Sequence, residues 1–389
     1  MPYLLTASSW GREELDALNR VIASGRFTMG EEVAAFEREF AAYFGMKHGV
    51  MVNSGSSANL LSIAALCYTR REPLRRGDEA IVPAISWATT YHPLQQYGLK
   101  LRIVDVELDT LNIDVSKLAQ ALTPRTRLIV AVSILGNPAA LDVVRDFADR
   151  HGLYMLEDNC ESMDAELNGR KTGTFGDLNT FSFFYSHHIA TMEGGMVLTN
   201  NEEYDHLLRS LRAHGWTRDL PPGSMLFEPA GNEHFEAYRF ILPGYNVRPL
   251  EMAGAVGREQ LRKLPAMTSV RRQNLKCFQK LFEGDERFVI QRENGKSSSF
   301  SFTLILKPER NIDRDAVFQA LRRAAIEFRI ITGGCFPRHD AIRYFDYEIC
   351  GDLQNAELAH DRGFFVGNCT QDLSAEIAQL YEVLDKACV

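Results

Sequence analysis

Thr180-Phe-Ser-Phe-Phe-Tyr-Ser-His-His-Ile-Ala-Thr-Met-Glu-Gly-Gly-Met-Val-Leu-Thr-Asn200 sets two short apolar runs, 180–184 and 195–199, on either side of a loop. The loop carries the pair His187-His188 and closes on Gly194-Gly195. Runs of this length, apolar without alternation, suit strands buried on both faces of a sheet. Histidine is the side chain whose ordinary charge change lies nearest neutral pH, so the loop holds two groups able to move protons. No lysine occurs between Lys171 and Lys263.

Working outward, similar runs at 50–53, 80–83, 101–106, 128–132 and 154–158 alternate with helical stretches such as 60–68 and 140–151. Val33, Phe36, Phe40 and Phe44 recur at helical spacing, and Gly45 follows as a C-terminal stop. Strands alternating with helices predict an α/β layer domain with a mostly parallel sheet over residues 1–250. The stretch 220–243 has prolines, glycines and little periodicity, and reads as a long loop. Helical spacing resumes from 249 to 282, followed by a strand at 299–306 and helices at 314–324 and 374–386. Residues 251–389 are therefore expected to form linking helices and a smaller C-terminal α+β domain.

The 389 residues are 45% hydrophobic and 24% charged, an ordinary globular composition. A net charge of -8 gives no bulk attraction to nucleic acid, and neither a signal peptide nor a membrane-length apolar run is evident. The seven cysteines (67, 160, 277, 335, 350, 369 and 388) are odd in number and scattered. They imply reduced thiols and a cytoplasmic address, with no metal-ligand spacing.

Four further segments carry candidate chemistry. Asn53-Ser-Gly55-Ser56-Ser-Ala58, between a strand and a helix, can converge backbone N–H groups and hydroxyls on a phosphate, or simply cap a helix. Trp87, just past a strand, is either a core ring or a stacking platform. Asp158, in Leu156-Glu-Asp-Asn-Cys-Glu161, ends an apolar strand; it is a turn former or the partner of a protonated ring nitrogen. Gly244-Tyr-Asn246-Val-Arg248-Pro contains an arginine that could equally be a surface charge.

Taken together, these segments resemble the DegT/DnrJ/EryC1/StrS sugar aminotransferases, fold-type-I enzymes that use pyridoxal 5'-phosphate (PLP). The resemblance implies that Gly55, Ser56 and Ser182 hold the phosphate, Trp87 stacks on the pyridine, Asp158 pairs with its nitrogen, and Glu161 lies beside its phenolic oxygen. Asn246 corresponds to an asparagine that reaches the neighbouring subunit's phosphate, which implies a homodimer with shared active sites. Members that transaminate carry a lysine eight residues before the second glycine, and His187 stands there. An imidazole cannot form the Schiff base that an ammonium side chain forms with PLP. The cofactor is then held non-covalently, as PLP or pyridoxamine 5'-phosphate, and acid–base chemistry is kept.

Within the family, two kinds of member with this histidine remove a sugar C3 hydroxyl. One also carries a [2Fe–2S] cluster on closely spaced downstream cysteines, and no cysteine occurs here between Cys160 and Cys277. The segments 185–195, 212–218 and 242–250 resemble the other kind, from the colitose pathway, which acts on GDP-4-keto-6-deoxy-D-mannose with L-glutamate. His214, Arg218 and Arg248 are candidates for binding that GDP-sugar, arginine suiting a diphosphate through its planar fork. A nucleotide-sugar 4-aminotransferase and a catalytically silent PLP-fold binding protein are the rival readings. Partners expected from charge or anchoring, nucleic acid and membrane, are excluded from all three.

Overall fold

The computed structural model describes residues 2–388. The apolar runs form β1 (His48–Val52), β2 (Glu79–Pro83), β3 (Lys100–Val104), β4 (Thr126–Val132), β5 (Tyr154–Asp158), β6 (Leu178–Ser182) and β7 (Gly195–Thr199). They build one sheet in the order β1-β7-β6-β5-β4-β2-β3, completed by the edge strand Tyr347–Ile349. Pairing is parallel from β6 across to that edge, while β7 runs antiparallel to both β1 and β6. The edge strand comes from far down the chain yet pairs in register with β3, Tyr347 opposite Leu101.

Alternate strand residues serve opposite faces, as the pleat requires. Val50, Val82 and Val130 pack in one layer with Leu61 and Leu66 of the helix Gly55–Tyr68. Met51 packs on the opposite side against the helix Glu31–Phe44, and Ile81 and Ile129 against the helix Leu141–His151. With both faces covered, the strands are apolar without a polar alternation. The helix Gly55–Tyr68 starts five residues earlier than expected. It is buried nearly all round, so it lacks the amphipathic stripe by which a helix is recognised, and Ser54 caps it by accepting from the Ser57 N–H at 3.1 Å. Gly45 takes the left-handed conformation that ends the helix Glu31–Phe44, as expected. The 220–243 stretch is largely irregular, with one short helix, Glu233–Glu236, capped by Asn232.

One 32-residue helix, Glu251–Phe282, leaves the large sheet and ends in a second core. There Phe278 stacks on Phe302 (centroids 4.8 Å apart) and on Phe282 (4.6 Å). A four-stranded antiparallel sheet, ordered Phe288–Ile290, Ser301–Leu306, Gly363–Gly367 and Phe328–Arg329, packs with the helices Arg314–Arg323 and Ser374–Ala387 around that core. Tyr3 returns the amino-terminal end to it, its hydroxyl donating to the Gly367 carbonyl. Among the described residues no helix is long and apolar enough to cross a membrane.

Phe40 is fully buried, with four phenyl rings around it: Phe36, Phe44, Phe181 and Phe183, at centroid distances of 4.9–5.6 Å. Phe181 and Phe183 belong to the segment that leads to His187, so this cluster supports the loop from below. Phe40→Ala should cost about 3–5 kcal/mol. The check is the urea midpoint, which should fall with little change in slope.

Candidate active site

The carboxyl ends of β2, β4 and β5 and the amino end of the helix Gly55–Tyr68 face a cavity of about 790 Å³. Open α/β sheets place their ligands at this end of the strands. Gly55, Ser56, Trp87, Asp158, Glu161, Ser182 and His187 all line it. These residues come from four separate stretches of sequence.

The helix start presents the first-turn N–H groups and the positive end of its dipole. Glycine is required here by close approach: a Cβ on Gly55 would lie 2.6 Å from Ser182 Cβ and 3.0 Å from Cys160 Sγ. A Cβ on Gly195 would come within 2.3 Å of the Ser54 carbonyl oxygen. The hydroxyls of Ser56 and Thr89 are joined at 3.0 Å, which ties the helix start to the Trp87 segment. Trp87 is 60% exposed, unusual for so large a ring, and forms part of the cavity wall.

At the end of β5 the Asp158 carboxylate is buried and receives three hydrogen bonds. Asn59 Nδ2 and Thr90 Oγ1 donate to Oδ2, each at 2.8 Å, and the Cys160 N–H donates to Oδ1. None of its hydrogen-bond donors is cationic. Glu161 accepts from the Leu135 N–H at 2.9 Å, on a turn where Leu135 adopts a left-handed φ of 54°. Burial pushes the Glu161 carboxyl up to about 7; the Asp158 charge adds to this, and the Leu135 N–H and Thr332 oppose it.

The His187 ring is half-buried, and its Nδ1 lies 2.8 Å from the Cys160 carbonyl oxygen. A carbonyl only accepts, so Nδ1 carries the hydrogen and the lone pair of the neutral ring sits on Nε2. Burial drives the imidazole down to about 4, the positive Arg271 adding to this; the bond to Cys160 and the Asp158 charge pull the other way. His187 is therefore a neutral ring at physiological pH. His188, in contrast, is fully buried outside the cavity, with Nε2 3.3 Å from the Ser298 carbonyl.

This donor set fits PLP. A phosphate would meet the helix start and the Ser182 hydroxyl, and Asp158, a buried carboxylate free of cationic donors, matches a protonated pyridine nitrogen. No lysine lines the cavity.

Four of the residues singled out in the sequence lie elsewhere. Asn246 and Arg248 are exposed and bond to each other, Arg248 Nε donating to Asn246 Oδ1 at 3.0 Å. His214 and Arg218 are exposed as well, Arg218 lying over the Trp216 ring. The backbone explains this grouping: 213–216 bridges to 240–246 in an antiparallel pair on the surface. Conversely, Phe300, Arg329 and Thr332 of the smaller unit line the cavity, as do Tyr185 and Ser186 beside His187. The last two lay within the quoted segment; the first three carry no local pattern that would mark them.

The sequence profile of the DegT/DnrJ/EryC1/StrS aminotransferase family matches residues 8–382. GDP-4-keto-6-deoxy-D-mannose 3-dehydratase of Yersinia pseudotuberculosis is 50% identical over 384 residues, covering 98% of each chain. A crystal structure of GDP-4-keto-6-deoxymannose-3-dehydratase, a histidine-to-asparagine variant with bound GDP-perosamine, superposes with a TM-score of 0.96 at 47% identity, over 98% of this chain and 100% of that one. Another, with a trapped PLP–glutamate geminal diamine, gives 0.96 at 48%, with the same coverage.

Gly195→Ala should weaken PLP binding roughly five- to 150-fold, because relieving such an overlap costs about 1–3 kcal/mol and must move the Ser54–Gly55 backbone. Absorbance titration with PLP reads the affinity, and far-UV circular dichroism checks that the fold is retained.

Proposed function

The chain belongs to the DegT/DnrJ/EryC1/StrS aminotransferase family, and we propose that it removes the C3 hydroxyl of GDP-4-keto-6-deoxy-D-mannose, at the expense of L-glutamate. The products are GDP-4-keto-3,6-dideoxy-D-mannose, 2-oxoglutarate and ammonia. The observation that carries this reading is His187: an imidazole with Nδ1 tied to Cys160 and a free lone pair on Nε2, in a cavity with no lysine. Atoms and electrons balance, since the two-electron oxidation of glutamate replaces the C3 hydroxyl by hydrogen.

PLP, when bound, serves as the electron sink and amino-group carrier. Gly55, Ser56 and Ser182 would hold its phosphate, Trp87 its ring face and Asp158 its ring nitrogen. His187 takes up a proton at Nε2 and delivers one to the departing C3 hydroxyl. Glu161, its carboxyl raised toward neutrality by burial, would hold or release a proton beside the cofactor's phenolic oxygen. With no ammonium side chain to capture the cofactor, the amino group leaves as ammonia and is not kept on the sugar.

The same reading assigns a homodimer in which Asn246 completes the partner's phosphate site and His214, Arg218 and Arg248 take part in binding the GDP-sugar. It is supported by their exposure away from their own cavity and by Arg218 lying over Trp216, against which the exposed rings of Tyr238 and Phe240 pack. Contiguous exposed aromatics of this kind mark interaction surfaces. A cytoplasmic address is supported by seven free thiols.

Incubation with GDP-4-keto-6-deoxymannose, PLP and glutamate should yield 2-oxoglutarate, ammonia and a product lighter by one oxygen. An amino sugar would instead identify a transaminase, and no turnover of any nucleotide sugar a silent binding protein. His187→Asn should lower turnover by at least about 10²–10⁴-fold, the share general acid–base catalysis contributes. For the shared site, an equal mixture of Asn246→Ala and His187→Asn chains, each inactive alone, should after subunit exchange recover about a quarter of wild-type activity. Absence of any recovery in verified mixed dimers would place Asn246 within its own subunit's site.

A further inference from the structure

Arg271, on the long helix Glu251–Phe282, is a buried guanidinium with no carboxylate to balance it. It is 3% exposed, and its Nη1 donates to the carbonyls of Phe300 at 3.2 Å and Asn368 at 2.6 Å. Its Nε has no partner. The adjacent Arg272 approaches Glu166, whereas Arg271 forms no ion pair among the described residues. A buried cation without a counter-ion is expensive to keep, and an apolar side chain of similar volume would pack at lower cost. Burial lowers the guanidinium only to about 10, so the charge is present at neutral pH.

What Arg271 grips is the wall behind His187. The Phe300 peptide is clamped on both sides, its N–H donating to Leu135 O at 3.0 Å and its carbonyl held by Arg271. Ser299, just before it, takes a left-handed φ of 46° and is held by Asn368 Nδ2, which donates to its carbonyl and hydroxyl oxygens. So fixed, the Phe300 ring meets His187 edge-on, with centroids 5.2 Å apart and planes at 76°. It also touches His188, whose Nδ1 is without a partner. The charged and titratable groups around His187 are few. Asp158, Cys160 and Glu161 line the cavity with it from the end of β5, Tyr185, His188 and Glu193 belong to its own loop, and Glu327 and Arg329 line the cavity from the smaller unit. Arg271 is the cation among them that the helix side supplies.

We propose that Arg271 is a positioning residue for proton transfer: it fixes Phe300 edge-on against the His187 ring and sets an uncompensated positive charge behind it. That charge adds to burial in holding the ring neutral, with its Nε2 lone pair available. The role of His187 as proton carrier is the reading on which this rests, but the link between Arg271 and the ring is testable without turnover.

The experiment follows the His187 ring nitrogens by NMR across pH in cofactor-free, ¹⁵N-histidine-labelled protein, with His187→Asn giving the assignment. In the wild type the ring should stay neutral down to pH 5 or below. Arg271→Lys, which keeps the charge, should leave the titration in place, whereas Arg271→Gln should raise the midpoint by about one unit, as removal of a nearby like charge does. A folded Arg271→Gln chain with an unmoved midpoint overturns the proposal, as does a wild-type midpoint at the ordinary imidazole value of about 6.5. Should Arg271→Gln not fold, Thr268→Asp places a carboxylate one helical turn away, where Thr268 Oγ1 is buried and unpaired. Pairing the guanidinium this way should give the same upward shift, and an unmoved midpoint would again overturn the proposal. Failure of the dehydration assay would leave these titrations unchanged, so the two readings fail separately.

Discussion

Gly195 is the point at which the site is assembled. It opens β7, pairs with Val52 at the end of β1 and with Ser182 at the end of β6, and leaves no room for a side chain against the Ser54 carbonyl. One residue thus brings the turn after β1, the end of β6 and the start of β7 into contact. The placement of the helix start, the Ser182 hydroxyl and the loop to His187 around one cavity follows from that contact. Asp158 is added by the next register, in which it lies opposite Thr180. A slip of one residue in any of these pairings would turn the functional side chains to the other face of the sheet.

Around this frame the environment reverses the usual order of acid and base. In water a carboxyl loses its proton well below an imidazole. Here burial lifts Glu161 to about 7 and drives His187 to about 4. The carboxyl can then retain a proton near neutrality while the imidazole is free to accept one. Separated proton affinities of this kind assign acid and base roles in a site. Both groups lie against backbone held in left-handed conformations by non-glycine residues: Leu135 beside Glu161, Ser299 before Phe300, and Thr332 in the cavity wall. Such conformations cost about 1–3 kcal/mol each and persist where surrounding contacts over-determine them.

The chemistry open to the site is narrowed as much by what is missing as by what is present. The neutral imidazole can shuttle protons but cannot trap an aldehyde. On the proposed reading the cofactor is held by many weak contacts: a helix start, the Ser56 and Ser182 hydroxyls, an indole face and a carboxylate.

Much of the large sheet was legible in the sequence, because strands buried on both faces must be apolar along their length and are short. The gathering of Gly55, Ser56, Trp87, Asp158, Glu161, Ser182 and His187 in one cavity was legible too, each lying at or within five residues of the end of a strand, where local sequence decides its placement. The start of the helix Gly55–Tyr68 was not, since a helix enclosed on all sides has no polar face to betray its period. Only the tertiary structure brought Phe300, Arg329, Thr332 and Arg271 to the cavity or its wall, from more than 80 residues further along the chain. It also placed Asn246, His214, Arg218 and Arg248 on the outer surface. The division has a physical cause: strand and turn chemistry is written in neighbouring residues, whereas the proton affinity of His187 depends on what folding packs behind it.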